Sequence, residues 1–189
     1  MGSTSDARPQ SRSLLLVLIV LFFAPLALSF ALYYGWHWRP VGQTNHGTLI
    51  EPPRSLPLEG SAAVLRGKWS LVYIGAGDCD DSCRATLYFM RQTYLGLGHL
   101  GSRAQQVFLV TGRCCDDAFL EREHPGLVTI NGESTDSATL LAQFPAADRP
   151  STLFVVDPKG NLMMRYDAHA NPRGLHDDLQ RLLALSHIG

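Results

Sequence analysis

The stretch WSLVYIGAGDCDDSC, residues 69–83, decides how this chain folds. It opens with an apolar run that is typical of a buried strand, and passes through a glycine-rich turn at residues 75–77. It ends in two cysteines, Cys79 and Cys83, where a helical pattern begins. Backbone N–H groups and the helix dipole favour thiolates at such a position. A thiolate pair either exchanges electrons with a disulfide or binds a soft metal such as Cu(I).

An apolar stretch without a charged side chain covers residues 14–36. Its length meets the requirement of a transmembrane helix, which needs about 20 apolar residues. A cleaved secretory signal peptide is the alternative, but the apolar region of a signal is usually only about 7–15 residues long. We therefore predict a cytoplasmic N-terminus at residues 1–13, a single uncleaved transmembrane helix at 14–36, and an extracytoplasmic remainder.

The rest of the chain is predicted to form a linker and one domain. Four prolines and few periodic apolar residues between positions 37 and 57 indicate an extended linker. Residues 58–189 are enough to build a single hydrophobic core. The net charge is −1 and the chain has no basic run, which argues against a nucleic-acid partner.

Strand and helix patterns alternate along the domain. Apolar runs predict strands at residues 71–76, 106–111, 127–130, 152–156 and 162–166, the last two joined as a hairpin. Helical spacing of apolar residues predicts helices near residues 83–97, 136–144 and 175–183. This order predicts an α/β domain in which helices cover both faces of a mixed sheet.

These features together resemble the thioredoxin fold. The cysteine pair follows a central strand, and the later hairpin consists of PSTLFVVD at residues 150–157 followed by KG at 159–160. This proline-led strand is similar to that of TlpA-like thioredoxins. The three-residue gap between Cys79 and Cys83 resembles that of Sco/SenC proteins, membrane-anchored factors that help to build the copper centre of cytochrome c oxidase. The resemblance implies that Pro150 follows a cis bond and lines a substrate groove opposite the cysteines.

The third copper ligand of the Sco family is not matched here. The resemblance expects a histidine near the start of the strand before the hairpin, and this chain has Arg149 there. A guanidinium is not deprotonated in proteins and does not ligate a metal. Cys79 and Cys83 can still bind Cu(I), with His169 as the candidate third ligand. The alternative for His169 is a solvated loop residue.

The adjacent pair Met163 and Met164 offers thioether sulfur, which is another soft ligand for copper. Neighbouring residues of a strand point to opposite faces of the sheet. We therefore expect one of these methionines in the core and the other outside it.

A second pair of cysteines, Cys114 and Cys115, follows the strand that ends near Thr111. The pair is therefore expected at the same carboxyl edge of the sheet as Cys79. These two residues are candidate auxiliary thiols, either a resolving thiol or an extra metal ligand. An inert buried cysteine beside an exposed one is the alternative, and the sequence leaves the disulfide connectivity open.

Three functions fit these residues. The first is a membrane-tethered, extracytoplasmic thiol–disulfide factor acting through Cys79, Cys83 and Pro150, which the resemblance places in cytochrome c oxidase biogenesis. The second is a Sco-type Cu(I) metallochaperone. The third is a non-catalytic assembly scaffold with a structural disulfide, although so short a loop constrains the unfolded chain little.

The resemblance also implies a cellular setting. It suggests a cytochrome oxidase subunit or another assembly factor as the partner, and no required cofactor, with Cu(I) as an optional metal. It further implies a single-pass protein of the bacterial inner membrane whose C-terminal domain is periplasmic.

Overall fold

The computed structural model describes residues 10–35, 44–113, 115–132, 135–145 and 151–189. The chain divides into an N-terminal unit and a compact domain that begins at Thr44. The N-terminal unit contains helix α1 (Gln10–Gly35). Its segment Arg12–Gly35 is long and apolar enough to cross a membrane. The predicted span at residues 14–36 thus falls on one continuous helix, except for its last residue, which lies outside the described part of the chain.

The domain is built on a mixed sheet of six strands. These are β1 (Thr48–Ser55), β2 (Trp69–Ala76), β3 (Ala104–Thr111), β4 (Val128–Asn131), β5 (Thr152–Val156) and β6 (Asn161–Asp167). Their order across the sheet is β1-β6-β5-β2-β3-β4. Strands β2, β3 and β4 are parallel, whereas β5, β6 and β1 each pair antiparallel with the strand beside them.

Helices lie on both faces of this sheet, as the sequence predicts. They are α2 (Asp81–Gly96), α3 (Asp117–Glu123), α4 (Thr135–Ala142) and α5 (Pro172–Leu185), with 3₁₀ turns at Gly60–Leu65 and Gly98–Arg103. Alternate residues of β2 face different layers because successive side chains of a strand point to opposite faces. Leu71 and Tyr73 pack with α2 and α5, whereas Val72 and Ile74 pack with α4 and the first 3₁₀ turn.

The predicted linker at residues 37–57 is largely part of the domain. Strand β1 occupies residues 48–55 and pairs antiparallel with β6. The expectation of an extended linker up to residue 57 is therefore wrong. Pro52 and Pro53 suggested a linker, but an edge strand tolerates prolines because one side of its backbone needs no strand partner. Residues 36–43 lie outside the described part of the chain.

Strand β6 contains an irregularity at Met163. Val155 pairs with Met164 and Val156 pairs with Leu162, so the register skips Met163. Met163 is partly buried against the core cluster that contains Met164, and both side chains line one groove beside α5. Met164 is therefore the core methionine of the expected pair, whereas Met163 is half-buried at the edge of the same cluster instead of fully outside it.

Candidate functional site

Cys79 and Cys83 form a disulfide just beyond the carboxyl end of β2, with their Cα atoms 5.1 Å apart. The two residues are 4% and 3% exposed, and both belong to the core cluster beneath α2 and α5. Exchange with another molecule therefore requires access through a neighbouring groove or a small opening of the cysteine turn.

The second cysteine is positioned by the start of α2. Asp80 is the N-cap residue of this helix, and its Oδ1 atom accepts a hydrogen bond from the backbone N–H of Cys83 at 2.9 Å. The first N–H groups of a helix lack acceptors within the helix, so a capping carboxylate satisfies one of them. Cys83 consequently lies in the first turn, where the helix dipole favours a thiolate once the disulfide is reduced.

The first cysteine has an unusual backbone conformation. Cys79 has a φ of 37°, and among the described residues it is the one non-glycine position with a positive φ. An L-residue in the left-handed region costs about 1–2 kcal/mol. Its N–H donates to the carbonyl of Ala76 at 3.2 Å, and its own carbonyl accepts from Nε of Arg84 at 3.2 Å. The turn is therefore held by backbone and side-chain contacts as well as by the disulfide.

A groove lies beside the disulfide at the carboxyl edge of β2 and β3. It consists of two adjoining cavities of about 690 and 580 Å³, which share Ala76, Asp78 and Thr111 in their walls. The larger cavity reaches Cys83, and the smaller one reaches Cys115. Both cysteine-bearing segments thus border one surface that is open to another molecule.

Tyr73 also lines the larger cavity. Its ring is buried and stacks on Phe108 with a centroid separation of 5.6 Å. Burial, together with the nearby Asp80 charge, raises the pKa of Tyr73 to about 12. The hydroxyl is therefore neutral at physiological pH. The strand pattern predicts only that Tyr73 is buried, and nothing in its spacing indicates that it borders the groove.

Cys115 lies at the sheet edge where the sequence places it. It is partly buried against the core cluster that contains Cys79 and Cys83, and it is disulfide-bonded. It immediately precedes Asp116, which caps α3 by accepting a hydrogen bond from a backbone N–H at 3.1 Å. Cys114 lies outside the described residues. An auxiliary role for this pair stays a prediction.

Two other candidate residues, Arg149 and Pro150, lie outside the described part of the chain. The next described residue, Ser151, accepts a hydrogen bond from the N–H of Ala168 at 2.8 Å. The loop that carries His169 therefore lies beside the start of β5, at the same edge of the sheet as the cysteine turn.

His169 itself is exposed, and its backbone N–H donates to Asp167 at 2.9 Å. Within the described ranges, no group of three or more His, Cys, Asp and Glu side chains is arranged to hold a metal. The structure therefore does not bring His169 together with Cys79 and Cys83 as a set of three ligands.

Comparisons with known proteins agree with this architecture. The family described as "Transmembrane-like, thioredoxin-like, C-terminal domain" matches residues 69–186. Apo Sco1 from Thermus thermophilus has a TM-score of 0.58 and 24% sequence identity, over 75% of this chain and 99% of that one. Yeast Sco1 with copper bound has a TM-score of 0.57 and 16% identity, over 77% and 96% of the two chains.

A third solved structure of similar fold is a DsbF homologue from Corynebacterium diphtheriae. Its TM-score is 0.50 and its identity 14%, over 77% of this chain and 97% of that one. No curated protein matches the chain in sequence. At these identities the structural likeness establishes the fold. It confirms the predicted thioredoxin-like mixed sheet and the resemblance to Sco/SenC proteins.

Proposed function

Because the chain belongs to the transmembrane-like, thioredoxin-like C-terminal domain family, we propose that it is a membrane-tethered thiol–disulfide exchange factor. Cys79 and Cys83 carry the reaction. The observation behind this proposal is their disulfide, which lies at the N-terminus of α2 and beside a groove whose larger cavity has a volume of about 690 Å³. Pro150, two residues before the first residue of β5, is assigned to the same groove on the strength of the thioredoxin resemblance.

The reaction consists of two exchange steps. In the reduced protein, one thiolate of the pair attacks a client disulfide, forms a mixed disulfide and displaces a client thiolate. The second thiolate of the pair then displaces the other client sulfur and forms the Cys79–Cys83 disulfide. Two electrons pass to the client, whose thiolates take up protons from water. A dithiol reductant returns the protein to its starting state by the reverse steps.

Cys114 and Cys115 are assigned an auxiliary role in that return. Cys115 borders the smaller cavity of the groove and is itself disulfide-bonded, which supports a second redox-active couple next to the first. The double variant Cys114→Ser/Cys115→Ser is expected to complete one round of exchange but to be reduced again more slowly. Unchanged reduction of Cys79 and Cys83 in this variant would remove the auxiliary role.

Oxidase biogenesis is the setting that we propose for this exchange. Its support is the fold shared with Sco proteins, one of which is solved with copper bound. The client would be a cytochrome oxidase subunit or another assembly factor. Helix α1 would anchor the chain in the bacterial inner membrane, with the domain on the periplasmic side. A membrane-impermeant thiol reagent should therefore label the reduced cysteines in intact cells. Labelling only after lysis would reverse this orientation.

Binding of Cu(I) is the second candidate function, since two adjacent thiolates suit this metal. Arg149 stands where the resemblance expects a histidine, and it supplies no ligand. Loss of either Cys79 or Cys83 should abolish Cu(I) binding, whereas Arg149→His should tighten it. If Arg149→His has no effect while His169→Ala weakens binding, the third ligand comes from the later loop.

The main proposal is tested on the full chain in detergent, in a Cys114→Ser/Cys115→Ser background. The protein is equilibrated with glutathione buffers, and the oxidised fraction of the pair is measured by alkylation. We expect reversible two-electron titration, and reduction of a disulfide-bonded peptide that is lost in Cys79→Ser and in Cys83→Ser. A disulfide that exchanges with no thiol buffer, in a protein that stays folded, would support the scaffold function instead. A parallel Cu(I) titration separates redox activity from metal binding.

A further inference from the structure

Arg84, in the first turns of α2, contacts the two cysteine-bearing segments at once. Its Nε atom donates to the carbonyl oxygen of Cys79 at 3.2 Å. Its guanidinium carbon lies 4.7 Å from the ring centroid of Phe119, which belongs to α3. Helix α3 is capped by Asp116, the residue that follows Cys115. One side chain therefore links the Cys79 turn to the segment that carries Cys115.

The Cys79 turn needs such a contact most when the disulfide is open. Cys79 has a positive φ, and the disulfide is one of the restraints that keep it there. Reduction removes this restraint. The hydrogen bond from Arg84 to the Cys79 carbonyl then remains, together with the bond from the Cys79 N–H to Ala76. Arg84 therefore supplies one of the hydrogen bonds that hold the Cys79 turn besides the disulfide.

The guanidinium also brings a fixed positive charge to the site. Arginine stays protonated in proteins, and its planar group stacks on an aromatic ring while its N–H groups donate elsewhere. Phe119 is held in turn by an edge contact with the ring of His124, at a centroid separation of 5.5 Å. A cation held next to the cysteine turn favours the thiolates of the reduced pair over the uncharged disulfide.

We propose that Arg84 is a positioning residue of the exchange site: it holds the Cys79 turn against α3 and stabilises the reduced form of the cysteine pair. This inference rests on the proposed exchange function of Cys79 and Cys83. The Arg84 side chain is exposed, so replacing it leaves the hydrophobic core intact. Variants at this position are therefore expected to fold.

The test measures the equilibrium constant for reduction of the pair by glutathione, in the full chain with Cys114→Ser and Cys115→Ser. Arg84→Gln should lower this constant by about tenfold, because the thiolates lose a nearby cation and the turn loses a contact that restrains it more in the reduced form than in the disulfide-bonded form. For a two-electron couple that corresponds to a potential about 30 mV more negative. Far-UV circular dichroism confirms that each variant is folded.

Two further variants separate the effect of the Arg84 contacts on this constant from the effect of its positive charge. Arg84→Lys keeps the charge but loses the planar stack and the Nε–H donor, so it should shift the constant in the same direction as Arg84→Gln. Arg91→Gln removes an equal charge two turns further along α2, and it should change the constant by less than about twofold. A lysine variant that equals the wild type, or an Arg91→Gln shift as large as that of Arg84→Gln, would overturn the positioning role.

A double-mutant cycle tests the link to α3. Phe119→Leu keeps an apolar side chain but removes the ring face, and it should lower the constant by about threefold, the effect of a weak cation–π contact. In the Arg84→Gln background the same change should have almost no effect, because the contact is already gone. If the effects of Arg84→Gln and Phe119→Leu on the constant are additive, the proposed coupling between Arg84 and α3 is refuted. If the wild-type pair titrates normally and every Arg84 variant matches it, this inference fails and the exchange function stands. If the wild-type pair does not titrate with glutathione, the exchange function and the role of Arg84 are both refuted.

Discussion

Tyr166 donates its hydroxyl hydrogen to Asp178, with Oη and Oδ2 2.6 Å apart in the interior of the domain. This bond joins β6 to α5. The same carboxylate accepts the backbone N–H groups of His46 at 2.6 Å and Gly47 at 3.2 Å. Asp178 is only 4% exposed, and a buried charge is tolerated when donors surround it in this way. The first residues of the domain are thereby bound to its last helix.

Removing the Tyr166 hydroxyl should destabilise the domain. Tyr166→Phe leaves the ring in place and deletes one hydrogen bond to a charged acceptor, a change that costs about 1.5–3 kcal/mol. Urea unfolding of the full chain in detergent, followed by circular dichroism, measures the loss. The matched control is Asp177→Asn at the exposed neighbouring position, for which a change within about 0.5 kcal/mol is expected. Equal stability of Tyr166→Phe and wild type would contradict the prediction.

Acid should weaken the domain through Asp178. Burial raises the pKa of Asp178, but hydrogen bonds from Tyr166, His46 and Gly47 outweigh it, and the folded pKa lies below the ordinary value of 3.8. The stabilisation is therefore present above about pH 4 and is lost as the pH falls through the folded pKa. Unfolding free energies measured between pH 5 and pH 2 should fall less steeply for Asp178→Asn than for the wild type. Parallel curves would show that another carboxylate dominates.

His124 should produce a separate pH dependence nearer neutrality. Its side chain is buried, and its Nδ1 atom has no hydrogen-bond partner among the described residues. Burial and the charge of Arg91 lower the pKa of His124 below its ordinary value of 6.5. The unfolded chain then binds the proton more readily, so stability falls as the pH drops below about 6.5. The stability difference between pH 7.5 and pH 5.5 should shrink in His124→Leu. His187→Leu, a change near the C-terminus, should keep the wild-type difference.

Arg103 binds the C-terminal segment to the rest of the domain through hydrogen bonds. Its guanidinium donates to the carbonyl oxygens of Leu183, Ser186, Ile188 and Gly189, at distances from 2.6 to 3.1 Å. Arg103→Met should destabilise the domain by about 1–2 kcal/mol, since water replaces some of these bonds. Arg103→Lys should recover only part of this loss, because an ammonium cannot reproduce the planar fork. Full recovery in urea unfolding would show that charge alone matters.

The central strands were predictable because a strand that is buried on both faces is a continuous run of apolar residues. Strands β2 and β5 are continuous apolar runs, and both are buried along nearly their whole length. Strand β1 was missed because it is mostly exposed and contains prolines, so it carries no apolar pattern. The irregular register at Met163 could not be predicted either, because it depends on how β6 pairs with β5 as well as on the residues of β6 itself.

The site was predictable to the extent that it follows from topology. Parallel strands end at one edge of a sheet, and this rule correctly placed Cys79 and Cys115 on the same side. The contact between Arg84 and Phe119 was not predictable, because it joins side chains 35 positions apart through the packing of two helices. The position of Tyr73 beside the groove was not predictable either, because its neighbours in the sequence are apolar and indicate only a core residue.

The composition of β1 affects whether the sheets of two copies of this protein can pair edge to edge. This strand forms one outer edge of the sheet, and its register with β6 is interrupted between Leu49 and Arg54. Pro52 and Pro53 lie within the interruption and have no N–H group to offer a neighbouring chain. Exposed edges otherwise act as templates for strand addition and fibre growth. Two consecutive prolines thus weaken the tendency of this edge to pair with the sheet of another copy when the local concentration is high.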